Sequence, residues 1–224
     1  MSATPVVSTL LLRNVPLFSL LPEGQLQQLT RVLSRKAYPR NSTVIAAGDS
    51  ADALYIVISG RLKVVMGDNE GREVILAILG QGEFFGEMGL IDQAPRSATV
   101  TTIEPSELLT ITRADFTKCL RENFDLTMNV IRGLVKRLRA ADSKIGSLAL
   151  MDVYGRVARH LMETAENIDG QKVVTKKPTK QHIAKTVGAS REMVTRVMKE
   201  LETSGRIEVR ARQILLRDSL ALAK

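Results

Sequence analysis

The stretch NFDLTMNVIRGLVKRLRAADSKIGSLALMD, residues 123–152, is too long and too regularly patterned for an ordinary globular helix, and the chain on either side is organised by it. Ile131, Leu134, Leu138, Ala141, Ile145 and Leu148 recur at alternating three- and four-residue steps, the a/d seam of a coiled coil, with Val135, Asp142 and Ala149 alongside. The 28 positions from Phe124 to Met151 would span roughly 42 Å at helical rise. Arg132, Lys136, Arg137, Arg139 and Lys144 leave only a narrow apolar stripe. Such a seam asks for a second copy of itself, which predicts a parallel homodimer about a two-fold axis; a helix packed on its own chain is the competing arrangement. Gly133 and Gly146 lie inside the helix, each at a cost of about 1 kcal/mol relative to Ala, and close approach of two helices across the dimer is one reason to accept it. Asn123 is placed to cap the helix, and Asp152 reads as its break and hinge, capping the next.

With 224 residues, 44% hydrophobic and 25% charged, the chain is long enough for two domains of soluble globular composition. Its net charge of +8 is uneven: residues 155–224 hold 15 Lys/Arg against 8 Asp/Glu, leaving the first 154 almost balanced. That asymmetry points the C-terminal third at a polyanion. A single cysteine, Cys119, excludes a disulfide framework and cannot alone hold an iron–sulfur cluster or structural zinc, so a reducing cytoplasm is the simplest setting. Both histidines, His160 and His182, follow the long helix, which leaves the first half without an imidazole for haem or zinc. Apolar runs stay short of 18 residues, and Thr4 to Leu12 has no basic segment before it; neither a membrane span nor a signal peptide is expected.

Leu26, Leu29, Val32 and Leu33 follow the Pro22-Glu23-Gly24 turn at helical spacing and predict one or two short helices over 10–36. From Thr43 to Thr112 the texture becomes β-rich: runs 43–47, 54–59, 62–66, 73–79, 97–102 and 108–112, with a hairpin signal at Asp68-Asn69-Glu70-Gly71. Short strands at this spacing predict an antiparallel roll. Within it, Gly82-Glu83-Phe84-Phe85-Gly86-Glu87-Met88-Gly89-Leu90 leads to Pro95-Arg96-Ser97-Ala98-Thr99-Val100. Glycines let backbone N–H groups approach a ligand, and a short helical turn from Gly86 would present its N-terminus to an anion. Arg96 supplies a fork for a phosphate, Ser97 a hydroxyl donor, and Glu87 an acceptor suited to a sugar hydroxyl; a Glu87–Arg96 ion pair closing the turn is the plainer alternative. Thr112 with Asp115 reads as a helix cap.

After the long helix, Val153, Val157, Leu161 and Ala165 outline another, ended by a turn over 167–170. From Lys180 the pattern is a helix-turn-helix. Ile183, Ala184 and Val187 bury the first helix, Gly188 supplies a left-handed turn, Ser190 caps the second helix, and Val194, Val197, Met198 and Leu201 bury it. Its other face presents Arg191, Glu192, Thr195, Arg196 and Lys199. In a major groove, Arg191 and Arg196 each suit a guanine edge and Glu192 a cytosine amine. Thr179, Gln181, Ser190 and Lys199 are placed for phosphates. Residues 205–209 with 214–216 read as a hairpin wing.

The ordering of residues 82–100 resembles the phosphate-binding cassette of cyclic-nucleotide-binding domains. Over about residues 15 to 218 the whole chain resembles the Crp/Fnr family of bacterial transcription regulators, close to its catabolite activator branch. The resemblance implies an α+β chain: an antiparallel β-roll sensor over 10–122, a dimerisation helix and hinge over 123–152, and a winged helix-turn-helix over 153–224. It implies a cyclic nucleotide effector, with no metal, haem or iron–sulfur cluster, held by Gly86, Glu87, Arg96, Ser97 and Ala98. It also implies homodimers on palindromic double-stranded DNA with TGTGA-like half-sites, RNA polymerase as partner, no membrane, and no enzymatic activity. That branch carries a Thr-Ser pair on the long helix facing the adenine; here Ala141-Asp142 stand there. A carboxylate takes two donors from the guanine N1/N2 edge but only amine protons from adenine. Arg139 with Asp142 is similar to the Arg-x-x-Asp pattern of cyclic di-GMP binders, so cyclic di-GMP is set slightly ahead of cAMP; the two residues are equally placed for a surface pair across one turn. A ligand-independent regulator using the roll as a scaffold, and a cyclic-nucleotide-binding subunit of an enzyme, are the competing readings.

Overall fold

The computed structural model describes residues 7–68, 70–217 and 220. Two compact units divide between Arg137 and Leu138. The first opens with α1 (Thr9–Arg13), capped by the Ser8 hydroxyl on Leu11 N at 3.2 Å, and α2 (Glu23–Val32), whose Leu26 and Leu29 are buried. Strands β1 (Ser34–Tyr38), β2 (Thr43–Ile45), β3 (Ala53–Ser59), β4 (Leu62–Gly67), β5 (Glu73–Leu79) and β6 (Phe84–Phe85) follow. After the short α3 (Met88–Ile91) come β7 (Thr99–Thr102) and β8 (Ser106–Thr112). They pair antiparallel in two sheets, β1-β8-β3-β6 and β2-β7-β4-β5, the expected roll.

Val57, Leu62, Leu79, Phe85, Val100 and Leu108 form a core drawn from both sheets. A larger core joins Leu54, Ile56 and Leu109 to Leu26, Phe116, Leu126 and Val130 of the helices and to Phe18 of the turn between α1 and α2. The expectation of a β-rich region beginning at Thr43 missed β1. Its Ser-Arg-Lys-Ala-Tyr sequence has no buried residue, and it is an edge strand held by β8 and by an Arg35–Glu107 ion pair of 2.5 Å. The β4–β5 turn is made as expected, with Asp68 Oδ1 accepting from Glu70 N and Arg72 N at 3.0 Å each; Asn69 lies outside the described residues.

Helix α4 (Arg113–Glu122) starts where Thr112 Oγ1 accepts from Asp115 N at 3.2 Å. The long helix α5 (Phe124–Leu150) is unbroken over 27 residues, with Asn123 Oδ1 accepting from Leu126 N at 2.9 Å. Its apolar positions divide. Leu126 and Val130 are buried, and Leu134, expected in the seam, packs with them against the sensor core, because i and i+4 share a face. Ile131, Val135, Leu138, Ile145 and Leu148 are 44–64% exposed in the single chain. Gly133 differs from expectation: it faces Phe84 of its own chain, while nothing lies within 4 Å of a Cβ built on Gly146.

The second unit contains α6 (Val153–Thr164), capped by Asp152 Oδ1 on Gly155 N at 2.7 Å. Strands β9 (Glu166–Ile168) and β10 (Gln171–Val174), helices α7 (Lys180–Val187) and α8 (Arg191–Thr203), and strands β11 (Ile207–Val209) and β12 (Ile214–Leu216) complete it. The turn expected over 167–170 is smaller: Asn167 and Ile168 belong to β9, and Asp169 and Gly170, with φ of 50° and 79°, turn the chain into β10. That pair of positive φ values suits a tight hairpin. The β9–β10 hairpin joins the wing in one sheet, β11-β12-β10-β9.

Arg156 ties this unit together. Its guanidinium donates from Nη1 to Met151 O at 2.9 Å, from Nε to Val187 O at 3.0 Å and from Nη2 to Gly188 O at 3.4 Å. These carbonyls lie just beyond α5 and at the end of α7, where a cation is favoured. Arg159 Nη2 donates to Ser143 Oγ of α5 at 2.6 Å, and Leu148 Cδ2 lies 3.3 Å from where a Gly188 Cβ would sit.

Candidate ligand site and nucleic-acid interface

In the sensor unit, β6 turns through Gly86, at φ +86°, into Glu87, which precedes α3. This helix is a single turn, Met88–Ile91, and it starts two residues after the expected Gly86. Glu87 is almost wholly buried, with its side chain 2% exposed. One carboxylate oxygen accepts from Arg137 Nη1 at 2.6 Å; the other, Oε2, is buried with no hydrogen-bond partner. Buried oxygens without partners are rare because each forfeits its hydration. Arg137 also donates to Phe84 O and sits 4.9 Å over the Phe84 ring.

The pairing expected as the plain alternative, Glu87 with Arg96, is not formed. Arg96 is buried, and donates from Nη1 to Gly86 O at 2.8 Å and from Nη2 to Ala53 O at 2.8 Å and Asp52 Oδ1 at 3.2 Å. A guanidinium has five N–H donors, so its Nε–H and a second Nη1–H remain after these bonds. Ser97 is exposed, its hydroxyl 3.8 Å from Met88 Sδ, and Ala98 is buried beside it. Gly86, Glu87 and Arg96 are thus brought together. Arg139, Ala141 and Asp142 fall on exposed turns of α5, past the boundary between the units. Among the described residues, no ion pair joins Arg139 to Asp142.

Arg137 is the site residue the sequence reading left among the charges bordering the seam. Its spacing carried a signal: it lies seven residues after Val130 and three after Leu134, both turned to the sensor core. A residue at that phase faces the roll.

In the second unit, α7 buries Ile183, Ala184 and Val187, and ends at Gly188 in the left-handed region at φ 64°, ψ 53°. Helix α8 buries Val194, Val197, Met198 and Leu201, leaving Arg191, Glu192, Arg196 and Lys199 exposed on its other face. Thr195 is half-buried, and its hydroxyl is spent on Arg191 O at 2.8 Å. Its own backbone N–H, then the Ser190 hydroxyl, hold the Glu192 carboxyl below the usual range, so it stays an acceptor. Thr179 and Ser190 cap α7 and α8, accepting from His182 N at 3.1 Å and Met193 N at 3.2 Å. Gln181 is exposed on the first turn of α7. Donors at two helix N-termini suit phosphate oxygens.

Among the described residues no helix is long and apolar enough to cross a membrane, and no three His, Cys, Asp or Glu side chains gather as a metal site.

A β-roll with a nucleotide-type cassette, followed in the chain by a winged helix-turn-helix, defines a DNA-binding transcription regulator with its own sensor domain. The profile of the cyclic nucleotide-binding domain matches residues 35–123, and that of the Crp-like helix-turn-helix domain matches 155–224. The chain belongs to the Crp/Fnr family of transcription regulators. It is 32% identical over 218 residues to the CRP-like cAMP-activated global transcriptional regulator of Mycobacterium tuberculosis, covering 96% of this chain and 97% of that one. It is 34% identical over 205 residues to the cAMP-activated global transcriptional regulator Vfr of Pseudomonas aeruginosa, covering 86% and 94%. Among solved structures it is similar to the c-di-GMP responsive global regulator CLP of Xanthomonas campestris. There the TM-score is 0.76 at 29% identity, over 87% of this chain and 99% of that one.

Proposed function

We propose that this protein is a cytoplasmic homodimeric regulator whose affinity for palindromic DNA is set by a cyclic nucleotide, cyclic di-GMP ahead of cAMP. The observation that carries the reading is Glu87 Oε2, a buried oxygen without a partner, in a loop that also gathers Gly86 and Arg96. A sugar hydroxyl donated to that oxygen supplies the missing bond, and the remaining Arg96 donors with Ser97 and the Ala98 backbone serve the phosphate. Asp142 on α5 then selects the base, since its carboxylate accepts both donors of the guanine N1/N2 edge, with Arg139 for phosphate or guanine stacking and Ala141 leaving room. The exposed Ile131, Val135, Leu138, Ile145 and Leu148 are the surface for the second protomer.

In the reader, Arg191, Glu192 and Arg196 address base edges of TGTGA-like half-sites. Thr179, Gln181, Ser190 and Lys199 hold phosphates, and Thr195 packs its methyl toward the groove while its hydroxyl stays on Arg191 O. Two such helices need neighbouring major grooves about 34 Å apart. The effector shifts the population of arrangements that meet this spacing, and RNA polymerase is the partner at the promoter.

A cAMP-responsive regulator is the second reading. The cAMP-activated relatives and the sugar-phosphate half of the site, which is common to both ligands, favour it. Calorimetric titration of the purified dimer with cAMP, cGMP and cyclic di-GMP, repeated on Asp142→Ala, separates the two. Tight cyclic di-GMP binding lost in Asp142→Ala supports the first; tight cAMP binding that survives the change supports the second. Heat from none of them leaves the roll as a dimer scaffold.

A further inference from the structure

The cassette is keyed into α5 at one point. The Phe84 ring, 7% exposed, fills a notch at Gly133: a Cβ there would lie 2.7 Å from Phe84 Cζ and 2.9 Å from Cε1. One helical turn on, the Arg137 guanidinium covers the same ring at 4.9 Å, donates to the Phe84 carbonyl, and reaches Glu87 Oε1 at 2.6 Å. Phe84 is three residues before Glu87 on the strand that enters the cassette. The height of α5 above that strand is therefore fixed by the ring in the notch, and with it the reach of Arg137 to Glu87. Glycine inside a helix is unfavourable relative to alanine; here the ring accounts for it, because a methyl group would meet a side chain that is itself buried and cannot swing to solvent.

We propose that Gly133 is a positioning residue for the effector site: the notch it leaves seats Phe84 and so holds Arg137 on the carboxylate that takes the effector's hydroxyl. This rests on the reading of Glu87 given above. The notch acts at a distance, through Arg137, so that one added methyl weakens effector binding without touching the effector.

The test is a set of full-length dimers, G133A, R137A, G133A/R137A and F84L/G133A, titrated calorimetrically with cAMP, cGMP and cyclic di-GMP and melted without ligand. Leucine at position 84 removes the ring atoms that a Gly133 methyl would meet. G133A is expected to bind the wild-type effector about tenfold more weakly. G133A/R137A is expected to match R137A alone, and F84L/G133A to recover most of the loss. Wild-type affinity in G133A overturns the proposal, as does a G133A loss that multiplies with that of R137A, since a loosened fold would act independently of Arg137.

The melting arm does not depend on ligand. Coupling between R137A and E87Q, measured by a double-mutant cycle, should be present when Gly133 is intact and lost when the same cycle is built on G133A. If the wild type takes up none of the three nucleotides, the reading of the site has failed. The notch then stands if that coupling is lost in the G133A background and falls if it persists.

Discussion

Removing the Arg137 guanidinium should destabilise the sensor unit well beyond what a surface ion pair would explain. Glu87 is 2% exposed at its side chain, its Oε2 has no partner, and Arg137 Nη1 at 2.6 Å compensates the charge on its other oxygen. Stripping one partner from a fully buried pair costs about 3–5 kcal/mol, whereas an exposed pair contributes about 0–1 kcal/mol. Arg137 is 36% exposed, so water reaches the vacated end and offsets part of the loss. An Arg137→Ala cost of about 2–3 kcal/mol follows, which for a unit of this size lowers the melting temperature by roughly 6–12 °C. Glu87→Gln removes the charge that needs compensation, so Glu87→Gln/Arg137→Ala should recover much of the loss. Scanning calorimetry of the ligand-free proteins, following the sensor transition, reads all four members of the cycle. A drop under about 2 °C for Arg137→Ala, or a double variant that loses the sum of the two singles, would mean that Arg137 does not compensate a buried Glu87 charge.

Arg196→Ala should relax discrimination at one guanine at a cost of about 1–3 kcal/mol; fluorescence anisotropy on palindromic and base-substituted duplexes checks it, and equal loss on random DNA would make Arg196 a phosphate contact. Gly188→Ala forces an L residue into the left-handed region, with its methyl 3.3 Å from Leu148 Cδ2. The reader should lose roughly 1–2 kcal/mol in a urea titration, and Gly188→Asn less, since asparagine tolerates that conformation. Burial, then the nearby His182, push the His160 imidazole below its usual pKa, against an opposing pull from Glu163 and with a smaller push from Lys144. The unfolded chain therefore takes up the proton first, and the contribution of His160 to stability, intact at higher pH, is lost as pH falls below about 6.5. Melting curves across that range should show the loss, and His160→Gln should flatten it.

Much of this structure was legible because its signals are local. Thr112, Asn123, Asp152 and Ser190 each cap the helix that follows, a bond made within three residues. Gly188 and the apolar phases of α7 and α8 are of the same kind. What escaped depends on partners far along the chain. Strand β1 opens with three polar residues, buries none of its five, and is a strand because β8, seventy residues on, offers it hydrogen bonds. The β9–β10 hairpin is too short to alternate visibly, and is fixed by pairing to β12. In the candidate site, Glu87 and Arg96 were identifiable by residue type, but which cation meets Glu87 depended on the face α5 turns to the roll. Gly133 read as a dimer contact because its neighbour, Phe84, lies 49 positions earlier in the sequence.

The side-chain contacts that the last turns of α5 make with the reader bear on how such regulators exchange parts. A reader transplanted from Asp152 onward would keep a backbone carbonyl at position 151 for Arg156, but would leave Arg159 without the Ser143 hydroxyl and Gly188 without the Leu148 side chain. The inheritable module is therefore longer than the helix-turn-helix and its wing. It begins within α5, after Arg137, so that a crossover able to swap DNA specificity between relatives has to fall in the middle of a helix, keeping its phase, instead of in the loop where recombination would ordinarily be harmless.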